Sequence, residues 1–367
     1  MDAQERIDSI ALSIFLCENH YLIDTVRKTF PHLPDIFKSP RKIIRELGFD
    51  EEKTEVIRSG NLQEKAKKEI DWLHKKGYTA LLLKDPDYPQ VLQEIDNPPL
   101  VLYCAGKIEA VNSLSVAIVG TRRPTPYGRS VTEQLARNLA HGKIVVVSGL
   151  ARGIDSIAHW AAVKGGQTVA VLGSGLGTVY PKENIGLFRT ILQRGAVVSE
   201  YPSSSPPLRH HFPQRNRIIS GLSRVVVVTE AAKKSGSLIT ADLALEQNRD
   251  VMVVPGNITS KFSEGTNALL KLGAKPVQSW MDVVEELPRE IQQEFSFENM
   301  TDKTSTARLT GIEERLFSLL KPDSLVHVDE LITISRMSVP EVLSALLHLE
   351  LKDLVFQRPG KFFQRKL

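Results

Sequence analysis

The chain has 367 residues, 42% hydrophobic and 25% charged, enough for two or three domains with full cores. A net charge of +4 is too small to reveal an anionic partner, so any surface for one has to be local. Two cysteines, Cys17 and Cys104, exclude a disulfide scaffold, and no apolar run reaches membrane-spanning length. The polar start Met1-Asp2-Ala3 reads as the absence of a signal peptide, so reduced thiols and a cytoplasmic location are expected, with no membrane partner.

Residues 1–75 read as short helices. Ile7, Ile10, Ala11 and Ile14 make one apolar stripe, and Ile43, Ile44 and Leu47 another. A connecting stretch with Tyr88-Pro89, Ile95 and Pro98 to Tyr103 opens a second unit, expected over residues 76–290.

Six Val-, Ile- and Ala-rich runs follow: Ser115–Val119, Ile144–Val147, Thr168–Leu172, Ala196–Ser199, Arg224–Val228 and Asp250–Val254. None alternates with polar residues, as expected of strands buried on both faces of a parallel sheet. Helical stripes lie between them, one at Val131, Leu135 and Leu139, another at Ile154, Ile157, Ala158, Ala161 and Ala162. Alternation of this kind predicts an α/β fold with a Rossmann-like, doubly wound, mostly parallel sheet, whose ligands sit beyond the carboxyl ends of the strands.

The loops at that edge carry glycine, hydroxyl and basic residues and no obvious catalytic acid. They read Gly120-Thr121-Arg122-Arg123-Pro124, Gly149-Leu150-Ala151-Arg152-Gly153, Gly173-Ser174-Gly175-Leu176-Gly177 running on to Asn184, Tyr201 to Asn216, Lys233-Lys234-Ser235-Gly236-Ser237, and Gly256 to Asn267. Glycine admits an anion close to the backbone, and helix N-termini supply unpaired N–H groups. Arg122, Arg152, Lys182, Arg215 and Lys234 come from separate loops that the fold should bring to one rim, so phosphate binding is expected. Tyr127, Tyr180, Tyr201 and Phe212 either stack on bases or pack the loops.

The anion is not a dinucleotide. Position 178 is Thr, so the glycines at 173, 175 and 177 do not form G-x-G-x-x-G, and no G-x-x-x-x-G-K-[ST] occurs. Asp155 and His159 are expected to cap and brace a loop, and His210-His211 have no partner at metal-ligand spacing. No catalytic residue, cofactor or metal is expected.

After Leu287 the chain turns polar, and residues 291–308 read as a linker. Within 309–367, Gly311–Leu320, Val328–Ser335 and Val339–Lys352 read as helices, followed by strands at Leu354–Gln357 and Phe362–Gln364 around Pro359-Gly360. Three helices and a hairpin make a winged helix. Ser338 with Glu341 is a capping-box signature for its third helix. The near-balanced charges of this unit favour protein contact over duplex binding.

The ordered motifs resemble the DprA/Smf family of DNA-processing proteins. The matching stretches are Val119-Gly120-Thr121-Arg122, Ser148 to Asp155 with His159, Tyr180 to Asn184, Ser199 to Pro202, Phe212 to Ile219, Ser235 to Ala241 and Val254-Pro255-Gly256. The resemblance implies an extended Rossmann fold that binds single-stranded DNA, protects it, and loads RecA recombinase in natural transformation and recombination, without enzymatic turnover. It also implies a homodimer through residues 242–272, overlapping the RecA contact, with single-strand-binding protein as a further candidate partner. An N-terminal helical module similar to sterile-alpha-motif or helix-hairpin-helix domains fits the same family.

Strand binding carries over first to Arg122, Lys182 and Arg215, then to the Ser235-Gly236-Ser237 turn. Arg152, Asn184 and Arg217 either touch the strand or brace a loop, and Gly120, Gly153, Gly173, Gly175, Asn216 and Thr240 complete the expected set. The competing reading is an enzyme similar to the phosphoribohydrolases that cut nucleotides on a related Rossmann core. Those carry a P-G-G-x-G-T-x-x-E turn, and here the glutamate is missing from the corresponding Ser235–Ala241 segment.

Overall fold

The computed structural model describes residues 2–19, 22–294, 309–321, 324–352 and 354–365. Nine strands form one sheet: β1 (Thr79–Leu82), β2 (Val101–Gly106), β3 (Ser115–Gly120), β4 (Val145–Ser148), β5 (Thr168–Leu172), β6 (Ala196–Ser199), β7 (Val225–Glu230), β8 (Asp250–Val253) and β9 (Lys275–Pro276). Their order is β1-β2-β6-β5-β4-β3-β7-β8-β9. From β6 across to β9 every pairing is parallel, whereas β1 and β2 run antiparallel. The chain therefore lays strands outward from β3 in one direction and then from β7 in the other. The β3–β7 pair is the topological switch point of a doubly wound sheet.

Both faces are covered, which is why the Val-rich runs show no alternation. Val116 and Ile118 pack with α3 (Pro126–His141) and α4 (Ile154–Gly165) on one face. Ala117 and Val119 pack with α6 (His211–Leu222) and α7 (Gly236–Glu246) on the other. Helices α5 (Ile185–Arg194) and α8 (Glu264–Lys271) complete the layers. Each fully buried Val or Leu here contributes ~2 kcal/mol from its apolar surface.

The N-terminal helices include α1 (Ala3–Glu18) and α2 (Asn61–Lys76). Their core is continuous with that of the sheet: Ile10, Leu12, Leu16 and Leu73 share one cluster with Leu82, Tyr103, Leu172 and Val197. Ile44 is fully buried in that cluster, while Ile43 faces solvent. α2 also reaches the site, because the buried Glu69 carboxylate accepts from the Ser203 amide at 2.8 Å and its hydroxyl at 2.7 Å. Cys17 and Cys104 are free and buried, and burial pushes the Cys104 thiol up to about 12.

The C-terminal unit is a winged helix with helices α9 (Gly311–Leu319), α10 (Val328–Ser335) and α11 (Val339–Leu351). A strand that the sequence pattern does not show, β10 (Val326–His327), joins β11 (Val355–Arg358) and β12 (Phe362–Arg365) in the order β10-β12-β11. Two residues are too short for any periodicity to reveal. The capping box forms, Ser338 N–H donating to Glu341 at 2.9 Å. Of the expected linker, residues 291–294 belong to the helix Arg289–Glu294, and residues 295–308 lie outside the described residues.

Candidate nucleic-acid interface

The six loops converge on the carboxyl edge of the parallel strands, as the alternation of elements requires. At the switch point, Gly120 lies against Ile154 and Glu230, and the Thr121 amide donates to the Glu230 carbonyl at 2.8 Å. The buried Glu230 carboxylate accepts from the amide and hydroxyl of Thr125, at 2.8 and 2.7 Å, and Thr125 is the N-cap of α3. Burial raises its pKa. The helix terminus that would hold a phosphate in a dinucleotide-binding sheet thus already has an internal carboxyl group beside it. Arg122 and Arg123 stand exposed on the outer side of the same loop.

The next loop folds over this one. Gly153 has φ +76°, and a Cβ there would overlap the Thr121 carbonyl oxygen. Beneath it, the Asp155 carboxylate accepts from the amides of Gly149 at 3.1 Å and Ala151 at 3.4 Å. His159 is fully buried, its Nδ1 2.7 Å from the Thr168 hydroxyl, and burial, reinforced by the Arg215 charge, lowers it to about 3. Asp155 therefore braces the loop, while His159 ties α4 to the start of β5.

Arg215 is where the structure departs most from the sequence expectation. It is only 4% exposed, and its guanidinium donates inward to the carbonyls of Gly149 and Val171. Placed four residues into α6, it points under the loops and not out of them. Asn184 is likewise buried, donating to the Leu150 carbonyl at 2.8 Å and to Ser156 Oγ at 2.9 Å. Arg217 forms a buried ion pair with Glu200. Of the residues left open between contact and bracing, Asn184 and Arg217 brace. Arg152 is exposed and held by both oxygens of Glu183, each at 2.8 Å.

Gly175 and Gly177 spend their amides on the neighbouring loop, donating to the carbonyls of Ser205 at 3.0 Å and Ser203 at 3.1 Å. A Cβ on Gly175 would run into the Pro202 carbonyl. Gly173 is buried under the Phe212 ring. All three glycines shape the wall, and the amides of Gly175 and Gly177 are spent within the protein. Among the aromatic candidates, Tyr201 is buried and stacked on His211, and Tyr127 donates to the Pro255 carbonyl at 3.1 Å. Tyr180 is the exposed one, 46% accessible, its ring 5.6 Å from that of Phe212.

At the end of β7, Ser235 is the N-cap of α7, with its hydroxyl 2.8 Å from that of Ser237. Gly236 is exposed with open space around it, flanked by exposed Lys233 and Lys234. Thr240, one turn further, is only 1% exposed and belongs to the interior. Asn216 joins this turn to α6 by donating to the Gly236 carbonyl at 3.5 Å. The last loop closes on itself, Asn267 accepting from the Gly256 amide and donating to its carbonyl.

The charges sort into two groups. Asp155, Glu183, Glu200 and Glu230, the carboxylates of the first five loops, are each engaged by protein partners. Among the described residues, no ion pair is formed by Arg122, Arg123, Arg129, Lys182, Lys233 or Lys234, all exposed along this side. Arg129 and Trp160 were not among the sequence candidates. Trp160 could have been noticed because it falls outside the apolar stripe of its helix. No group of His, Cys, Asp and Glu among the described residues could hold a metal, and no helix there is long and apolar enough to cross a membrane.

Comparisons with known proteins place the chain among relatives of the same fold. The family described as DNA recombination-mediator protein A matches residues 79–288, and the DprA winged helix domain matches residues 300–361. Protein Smf from Synechocystis sp. is 38% identical over 313 residues, 77% of this chain and 79% of that one. The structure of DNA processing protein A from Streptococcus pneumoniae superposes with a TM-score of 0.61 at 35% identity, covering 73% of this chain and 93% of that one. DNA processing protein A from Helicobacter pylori, described for its single-stranded DNA binding mode, gives 0.53 at 35% identity over 58% of this chain and 96% of that one.

Proposed function

The chain belongs to the DNA recombination-mediator protein A family, and from that premise we propose that it binds single-stranded DNA along the carboxyl edge of its sheet, protects it, and passes it to RecA recombinase. The matching family is described as a DNA recombination mediator, and the proposed role involves no enzymatic turnover. The observation that carries the binding reading is the sorting of charge: the loop carboxylates are engaged inside the protein, while Arg122, Lys182, Lys233 and Lys234 face solvent without ion pairs among the described residues. A groove of unpaired cations with the Tyr180 ring beside it suits a flexible strand, whose phosphates fall on the cations and whose bases stack.

RecA loading, homodimerisation, a role in natural transformation, a contact with single-strand-binding protein and a cytoplasmic location come from the family resemblance. Around the expected dimer face, Leu245 and Leu272 are exposed, at 58% and 83%, while Leu269 is in the core. Light scattering at tens of micromolar tests the dimer, and a RecA pull-down with and without DNA tests the handover.

The strand itself is tested by titrating a labelled oligonucleotide across a salt series with duplex competitor. Arg122→Ala with Lys182→Ala should weaken single-strand binding and flatten the logarithmic salt slope by about one per lost contact. Affinity and slope unchanged from wild type would remove the strand from this edge.

A further inference from the structure

We infer that a cleft beside the Arg122 loop is a nucleotide subsite, with Trp160 as the stacking face for one base and Arg122, Arg123 and Arg129 as ligands for its phosphate. The inference rests on the single-strand reading above and extends the strand's path from the loop edge onto the outer side of α3 and α4.

The cleft measures about 460 Å³, within the range of sites that hold a small ligand. Its walls come from the loop after β3, the loop after β4 and the outer surface of α4, with Arg129 from the first turn of α3. Four guanidinium groups line it, those of Arg122, Arg123, Arg129 and Arg152, against one carboxylate, Glu183. Glu183 is already bound through both oxygens to Arg152. Three guanidinium groups therefore face the same space without a carboxylate among the described residues to neutralise them. Converging like charges in a concave site repel one another unless an anion is present, so the arrangement favours a bound phosphate.

Trp160 adds a flat apolar surface to this basic cleft. It is 44% exposed, although Ile154, Ile157, Ala158, Ala161 and Ala162 of the same helix are all buried. A large ring left on the polar side of a well-packed helix gains little from packing there. A ring and several arginines around a site of this size match the two halves of a nucleotide, since any base stacks on an indole and phosphates accept from guanidinium groups. Gly153, fixed with positive φ between the Arg122 and Arg152 loops, keeps the two basic walls in register.

The test uses the full chain and its intrinsic fluorescence, with thymidine oligonucleotide and thymidine monophosphate as probes. Bound oligonucleotide should quench the wild type, and Trp160→Phe should lose most of the quench while binding within about threefold. Trp160→Ala should bind about tenfold more weakly. Arg129→Ala, at an exposed position, should weaken binding severalfold and lower the salt slope by about one. Circular dichroism confirms that each variant is folded. Quenching by oligonucleotide alone places a strand residue at Trp160, and quenching by the monophosphate as well extends the site to free nucleotides; both support the subsite. Oligonucleotide binding that leaves Trp160 fluorescence unchanged, with Trp160→Ala and Arg129→Ala at wild-type affinity, overturns it without touching the strand reading. If the oligonucleotide does not bind the wild type at all, the strand reading fails, and the monophosphate arm then decides the cleft independently.

Discussion

The guanidinium of Arg215 donates to the carbonyl oxygen of Gly149 at 2.6 Å, from beneath the loop whose upper side meets solvent. Burial lowers its pKa to about 10, still a cation at neutral pH, and Asp155 supplies the largest compensating charge. One arginine thus ties the β4 loop to strand β5 from inside, through Gly149 and Val171.

Arg215→Ala should therefore destabilise the fold by about 3–5 kcal/mol, because two buried carbonyls lose their donor and the Asp155 carboxylate loses a favourable positive charge. Urea midpoints measure the loss. The logarithmic salt slope of strand binding by the remaining folded protein should stay as in wild type, unlike that of Arg122→Ala. A reduced slope with unchanged stability would return Arg215 to the phosphate contacts.

Gly153→Ala and Gly236→Ala should separate folding from binding. The first forces a side chain into a backbone with φ +76° and onto the Thr121 carbonyl, at a cost of about 1–3 kcal/mol in thermal stability. The second has open space around it at the start of α7, so stability should hold or rise by up to ~1 kcal/mol. If a phosphate approaches the Gly236 amide, the same methyl weakens the strand severalfold.

His159 should make the protein acid-sensitive. Its ring is lowered to about 3 in the fold against an ordinary 6.5, so the unfolded chain binds more protons between those values. Its contribution is complete above pH 6.5 and is lost on acidification by up to ~1.4 kcal/mol per pH unit. Asp155, raised by burial, has a slope of the opposite sign at lower pH, so the quantity to read is the difference between wild type and His159→Gln from pH 7 to 5.5. That difference should shrink as the pH falls; a constant difference would mean that the ring titrates in the fold as it does in the unfolded chain.

The sheet was legible because burial on both faces leaves a plain mark, uninterrupted Val-rich runs, and all six strands read this way are present. β1, β2 and β9 were not read as strands: β1 and β9 owe their place to neighbours and not to a pattern of their own, and β2, opening just after Pro98-Pro99, reads as a connection. The site was legible as a set of loops but not as a set of roles. Arg122 and Arg215 look alike in sequence, each basic beside a motif glycine or asparagine. Only the turn of α6 decides that one faces solvent and the other the Gly149 carbonyl. Gly175 and Gly236 part in the same way, one closed by the Pro202 carbonyl and one open. The covering of the sheet by the N-terminal helices left no trace either, because an apolar stripe does not name its partner.

Glu230 has a further consequence. With its carboxylate on Thr125 at the head of α3, the seat where related sheets take a nucleotide's phosphates is filled from within. Millimolar nucleoside triphosphate mixed with a scarce strand would therefore find no entrance at the switch point, and the protein's selectivity between polymer and monomer would have to be won along the rim, where a chain of phosphates can engage many cations together and a single nucleotide cannot.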